Sequence, residues 1–225
     1  MSSILQNGTQ SCQRCGTCCT KGGPALHRDD RHLVEKGTIA LKDLYTIRNG
    51  EPVYDNVKAA LDRAHGEIIK IKGCQGRWTC CFFEEAANAC RIYSRRPLEC
   101  RLLKCWDSGE LESMYHTDRL QRKDLVGDVE GLWDLITDHE DRCSYLKIAD
   151  WIRRMQEQRA SRWAARIVEA INYDTEIRKL LAARKDIDPE LFEFFFGRPL
   201  ADTFAGFGYK IKKKEGKVSF VRGTN

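Results

Sequence analysis

The chain has 225 residues, 42% of them hydrophobic and 32% charged, with 17 Gly, 5 Pro and a formal net charge of +5. At ~150 residues per domain this is one domain or two small ones, long enough to bury a core without help from disulfides. The composition excludes a low-complexity or disordered chain, and no apolar run reaches the ~18–20 residues of a membrane span.

The basic excess is small, 17 against 13 in residues 1–110 and 21 against 20 in 111–225. It falls short of a dedicated nucleic-acid binder. A protein partner is left open. The segment from Met1 to Gly8 has neither a basic stretch nor an apolar one, so no secretory signal is read and a cytoplasmic protein is expected.

The first half reads as loops and short strands. Leu44–Arg48, Asn49-Gly50 and Glu51–Tyr54 spell a hairpin with an Asn-Gly turn. Residues 57–65 fit a short helix, and Glu67–Lys72, rich in β-branched residues, a strand. The second half reads as helical. Leu125, Val129, Leu132, Trp133 and Ile136 share one helical face. A longer apolar pattern runs from Tyr145 to Ala183, with Asp174 as an internal N-cap and a break there. Asp188-Pro189-Glu190 opens another helix, which Gly197 closes. Phe207–Val221 reads as a terminal hairpin turning at Glu215-Gly216, its lysines protecting a solvated edge.

The fold class is α+β. Residues 1–110 form a Cys-rich metal-binding region of short strands and loops. Residues 111–225 form a mainly helical region with a terminal hairpin, packed with the first as one unit and burying Trp133, Trp151, Trp163 and the Phe192–Phe196 stretch.

The departure from average composition is the 11 Cys. An odd count and no export signal argue against a secreted disulfide scaffold. Ten of them lie between Cys12 and Cys105, leaving Cys143 apart. Cys12-Gln13-Arg14-Cys15-Gly16-Thr17-Cys18-Cys19 sets four thiols in eight residues. Two-residue spacers let thiolates converge on one centre, and the C-x2-C-x2-C spacing matches the run by which bacterial ferredoxins hold three corners of a cluster. Gly16 suits the turn between them. Adjacent side chains diverge, so Cys18 and Cys19 are not expected on one tetrahedral ion; one of them serves a second centre or bridges two metals. A second group, Cys74, Cys80, Cys81, Cys90, Cys100 and Cys105, must be gathered by the fold. Plain core packing accounts for Cys74, Cys81 and Cys143. A thioredoxin-like redox pair lacks its βαβ context, and the C-x3-C-x2-C motif of radical enzymes is absent.

These residues carry a resemblance. Cys12-x2-Cys15-Gly16-x-Cys18-Cys19, then Cys80-x-Phe82-Phe83, then Cys90-x-Ile92-Tyr93-x2-Arg96-Pro97-x2-Cys100-Arg101 resembles the CxxCxxCC cysteine-cluster family, also called YkgJ-like, over roughly residues 10–106. The resemblance implies a zinc- or iron-chelating domain of undefined biochemical role, with Cys12, Cys15, Cys18, Cys19, Cys80, Cys90 and Cys100 as ligands. Cys105 is added because it follows Cys100 closely, which makes eight thiols, enough for two four-thiolate centres or for one cluster plus one zinc. A related branch, the flagellin lysine N-methylases, implies an iron–sulfur cluster. The extra thiols and the helical tail depart from the family's pattern.

Thiolate-rich sites select zinc, iron–sulfur clusters or copper(I), and the ferredoxin-like spacing favours an iron–sulfur or iron centre over zinc. His27 is a candidate ligand or proton donor, with His32 nearby. Arg96 and Arg101 either offset thiolate charge, bind an anionic substrate, or pair with Glu84, Glu85 or Glu99. Three functions remain: an iron-centred metal-binding protein of undefined role, a structural zinc module for protein or nucleic-acid interaction, and an iron–sulfur protein methylase-like enzyme. Whether the chain is an enzyme is left open.

Overall fold

The structure, a computed structural model, describes residues 12–223 other than 56, 57, 59, 75, 159, 215 and 216. In chain order, the first half holds the short helices α1 (Thr17–Thr20) and α2 (Arg31–Glu35), then strands β1 (Leu44–Ile47), β2 (Pro52–Asp55), β3 (Ala60–Arg63), β4 (Ile68–Ile71), β5 (Phe83–Glu84) and β6 (Ala89–Cys90). It continues into α3 (Leu98–Leu102) and α4 (Gly109–Met114). Helices then dominate: α5 (Arg122–Val126), α6 (Leu132–Arg142), α7 (Tyr145–Gln158), α8 (Ser161–Ala182), α9 (Phe192–Phe196) and α10 (Leu200–Thr203), closed by a hairpin of β7 (Tyr209–Lys214) and β8 (Lys217–Arg222). The fold class is α+β.

The central ribbon pairs β1 with β4, antiparallel, with Tyr45 opposite Lys70 and Ile47 opposite Ile68. The Asn49-Gly50 turn is present, Gly50 having φ 80°, but the strands it joins are not partners: β2 pairs with β3. Burial explains the exchange. Leu44, Thr46 and Ile47 are buried, as are Ile69 and Ile71, so β1 and β4 share the core. Strands β2 and β3 expose Tyr54 and Leu61. The short helix read over 57–65 is therefore replaced by β3; residues 57 and 59 of that span lie outside the described ones. Beyond β4 the chain from Pro24 to His27 runs alongside, Leu26 donating to Ile69 O at 2.8 Å and Ile71 to Pro24 O at 3.0 Å. Residues 118–120 flank that segment in turn, with Arg28 N donating to Asp118 O at 2.8 Å and Leu120 N to Leu26 O at 3.1 Å.

Two apolar clusters form. The first joins Leu26, Ile39, Leu44, Ile69, Phe82 and Leu120 to Phe192, Phe194, Phe195 and Phe196 of α9. At ~1.5–3 kcal/mol for each large side chain buried, this cluster is a major stabilising element. Thr46 Oγ1 donates to Phe194 O at 2.7 Å, fixing α9 on β1. Asp188 caps the turn before α9, accepting from Glu190 N at 2.9 Å, and Gly197 ends it at φ 71°. The second cluster gathers Cys143, Tyr145, Ile148, Ile152, Ile167, Ile171, Leu200 and Phe204.

Three readings of the second half are corrected. The apolar face from Leu125 to Ile136 is divided between α5 and α6, the interruption falling at Gly127–Gly131. The break of the longer pattern falls between Gln158 and Ser161, and α8 runs unbroken through Asp174. Asp174 is buried and serves α6 and α10 instead of capping a helix. Trp133, Trp151 and Trp163 are only half-buried, whereas Phe192, Phe194, Phe195 and Phe196 are buried. The terminal hairpin is present, with Ile211 opposite Phe220. Its turn at Glu215-Gly216 lies outside the described residues, as do the side chains of Lys213, Lys214 and Lys217. Among the described residues, no helix is long and apolar enough to cross a membrane.

Candidate metal centre

The N-terminal arm reaches the site through Gly16, whose φ of 75° is the left-handed backbone that glycine adopts without strain. A Cβ there would stand 2.3 Å from the Phe83 ring, so the arm lies directly on the β5–β6 hairpin. One helical turn, α1, follows and presents Cys18 and Cys19 together, their Sγ atoms 3.9 Å apart. The expectation that these neighbours diverge does not hold.

Cys80 is brought in by the backbone: its N–H donates to Cys19 O at 2.8 Å. Cys90 sits on β6, directly opposite Phe83 in the register. Cys100 lies within α3, whose position is set by two buried acids. Asp30 accepts from Leu98 N at 2.8 Å and from His27 N at 3.0 Å. Glu99 accepts from Ala25 N at 2.7 Å and from Arg119 Nη1 at 3.0 Å, and faces His27 Nε2 at 3.3 Å. Burial opposes the charge on Glu99, but His27, Lys70 and Arg119 outweigh it and hold the carboxyl below its ordinary range.

Cys18, Cys19, Cys80, Cys90 and Cys100 lie near enough for their charges to act on one another, although no three of their sulfurs fall within 4.8 Å of one another. Burial pushes Cys19 up to about 12, with Cys18, Cys80 and Cys90 adding to it. Burial also raises Cys90, with Cys80 and Cys18 adding, and raises Cys100, with Cys80, Cys19, Cys18 and Cys90 adding. Cys80 is held low instead, chiefly by a hydrogen bond from the Cys81 thiol, and also by Phe82 N–H and Arg91. Arg96 likewise favours the thiolate of Cys90. At Cys19, Cys90 and Cys100 the neighbouring thiols discourage ionisation, and a bound cation reverses that penalty by stabilising thiolates. The donor set therefore fits zinc, iron or an iron–sulfur cluster.

The other sequence candidates stand apart from these five. Cys12 and Cys15 are exposed on the arm; Arg14 N donates to Cys12 Sγ at 3.4 Å, and a hydrogen bond with Thr17 holds Cys15 below the ordinary thiol value. Cys105 is exposed in the turn from Lys104 to Asp107. Cys74 faces Cys81 O at 3.9 Å. His27 is fully buried, and its Nδ1 donates to Thr117 O at 2.8 Å while Nε2 faces Glu99. Both ring nitrogens are used within the fold, so His27 positions α3 and leaves no atom for a metal. His32 is exposed and donates to Asp29 O at 2.7 Å.

The arginines divide. Arg101 pairs with Asp29, not with the glutamates considered from sequence. Arg96 lies 3.8 Å over the Tyr93 ring, and Arg14 approaches the same ring at 4.3 Å. Tyr93 therefore joins the arm to the Cys90–Cys100 segment, a role no local motif discloses.

One further group unites His139, Cys143 and Asp174, all buried, with ligating atoms within 4.8 Å. Most of its hydrogen bonding is internally spent, His139 Nδ1 alone being buried without a partner. Asp174 receives His139 Nε2 at 2.8 Å, Arg178 Nε at 2.9 Å and Leu200 N at 2.8 Å, and the Cys143 thiol donates to Ala170 O at 3.5 Å. With Arg48 and Arg178 both acting on it, this group is a joint between α6, α8 and α10, not a cation site.

Residues 11–118 match the sequence model of the CxxCxxCC family, described as "Putative zinc- or iron-chelating domain". No curated protein and no solved structure matches the chain. The match runs from the edge of the cysteine arm through α3 and α4 to the segment that receives His27 and Arg28. The similarity of the chain to the CxxCxxCC family is accordingly that of residues 11–118.

Proposed function

We propose that the chain holds an iron or iron–sulfur centre through thiolates drawn from Cys18, Cys19, Cys80, Cys90 and Cys100. The observation that supports this reading is the electrostatic proximity of five thiols from four separate segments of the chain. A single tetrahedral ion takes four ligands, and five sulfurs exceed that. The C-x2-C-x2-C spacing that ends at Cys18 is that of a ferredoxin run, which favours iron over zinc and would bring Cys12 and Cys15 of the arm to the same centre.

The test is anaerobic purification followed by metal and sulfide analysis. Brown protein with broad absorption near ~400 nm and stoichiometric iron supports the proposal. Colourless protein with stoichiometric zinc overturns the iron assignment and leaves chelation standing. Protein that takes up neither metal overturns both.

A further inference from the structure

Beside the thiol cluster the fold leaves a cleft of about 860 Å³. One end is built by residues that follow Cys19 and by Trp78, which precedes Cys80; the floor is the solvent-facing side of β1 and β4, and one wall is the β2–β3 hairpin. Two kinds of surface meet in it.

The floor is cationic. Lys70 lies opposite Tyr45 in the register, with Arg119 and Arg198 beside them. The acids lining the cleft already have partners: Asp62 and Asp55 face Lys58 at 2.5 and 4.0 Å, and Glu193 faces Lys72 at 3.4 Å. Arg119 is held by Glu99 and Arg198 by Glu51. Lys70 has no carboxylate at ion-pair distance among the described residues. Burial lowers the pKa of its ammonium, which only Glu99 and Cys100 counter from farther off. The wall and rim are apolar: Tyr54 and Leu61, cross-strand partners, are 58% and 77% exposed, and Trp78 is 70% exposed. Large apolar side chains left open around a desolvated, unpaired ammonium mark a ligand site.

We propose that this cleft binds an organic anion with an apolar body, its carboxylate or phosphate paired to Lys70 and its body lying over Tyr54, Leu61 and Trp78. The site is independent of the metal reading, since none of these residues bears a thiol.

The test is titration of the full-length protein, as purified, with 8-anilinonaphthalene-1-sulfonate, an aromatic anion whose fluorescence rises on binding. A saturable rise at one probe per chain is expected. Lys70→Met should weaken binding about tenfold, the loss of one charge-assisted contact, and Lys70→Arg should retain it. Trp78→Ala, at an exposed position, should also weaken it with the circular dichroism and metal content unchanged. Displacement by decanoate assigns a carboxylate ligand, and displacement by phenyl phosphate assigns a phosphate. Displacement by neither overturns the proposal. So does unchanged affinity in Trp78→Ala, or in a folded Lys70→Met. Should Lys70→Met fail to fold, Trp78→Ala decides alone.

Discussion

The backbone N–H of Cys80 donates to the carbonyl of Cys19 at 2.8 Å, across 61 residues of chain. This one bond joins the arm's cysteines to those gathered by the rest of the domain. The segments that carry the thiols are therefore tied to one another by main-chain and carboxylate contacts.

Cys100→Ser and Cys105→Ser separate the converged thiols from the exposed ones. The first is expected to lose most of the bound metal and the second to retain it, read by metal analysis of protein prepared without oxygen. Cys143→Ser, which keeps a donor for Ala170 O, should match the parent. Equal metal in Cys100→Ser and Cys105→Ser would refute the assignment.

Glu99→Ala removes the shared acceptor of Ala25 and Arg119, which His27 also faces. Stranding those buried donors should cost about 3–5 kcal/mol of stability in urea unfolding. Metal affinity should fall as well, because α3 carries Cys100. A loss of stability with affinity unchanged would show that Glu99 does not position that thiol.

His139 sets an acid limit. Burial, aided by Arg48 and Arg178, lowers its pKa below 6.5, and the Asp174 carboxylate only partly counters this. The native state thus binds its proton less readily than the unfolded chain. The contribution is fully present above pH 6.5 and falls as pH drops below it, by about 1.4 kcal/mol for each unit of depression. Asp174 adds a second loss at lower pH. Burial opposes its charge, but His139, Arg178 and Leu200 N–H hold it at about 2. Its contribution is therefore present above 3.8 and disappears as pH falls towards about 2. Unfolding midpoints measured from pH 7 to 5 should decline in the parent and flatten in His139→Gln. Parallel curves would exclude His139.

Thr46→Val tests the seat of α9. Valine keeps the shape and deletes the hydroxyl that donates to Phe194 O, so a loss of about 1–2 kcal/mol is expected. An unchanged urea midpoint would mean that apolar packing alone holds the phenylalanines on β1.

Local pattern and long-range pairing were legible to different degrees. The strand at β4, the Asp188 cap and the Gly197 stop follow from a few adjacent residues, and each is where spacing put it. The partner of β1 does not, because an Asn-Gly turn specifies a reversal while burial of Leu44, Thr46 and Ile47 selects the mate. Asp174 looked like a cap because aspartate favours helix starts; its true partners, His139 and Leu200, are 35 and 26 residues away. The same limit applies to the thiols. Spacing marked the arm's cysteines as a group, yet which of them meet Cys80, Cys90 and Cys100 depends on contacts such as Glu99 with Ala25, 74 residues apart. His27 stood close to the motif and drew attention as a ligand, when its buried neighbours make it a brace.

Gly16 ties the packing of the arm to that of the Cys90 hairpin. Its missing side chain is what lets the Phe83 ring lie against the arm, and Phe83 stands opposite Cys90. One methyl group at this position would lift the arm and disturb the Cys90 hairpin at once, separating two sources of sulfur by a change that touches neither.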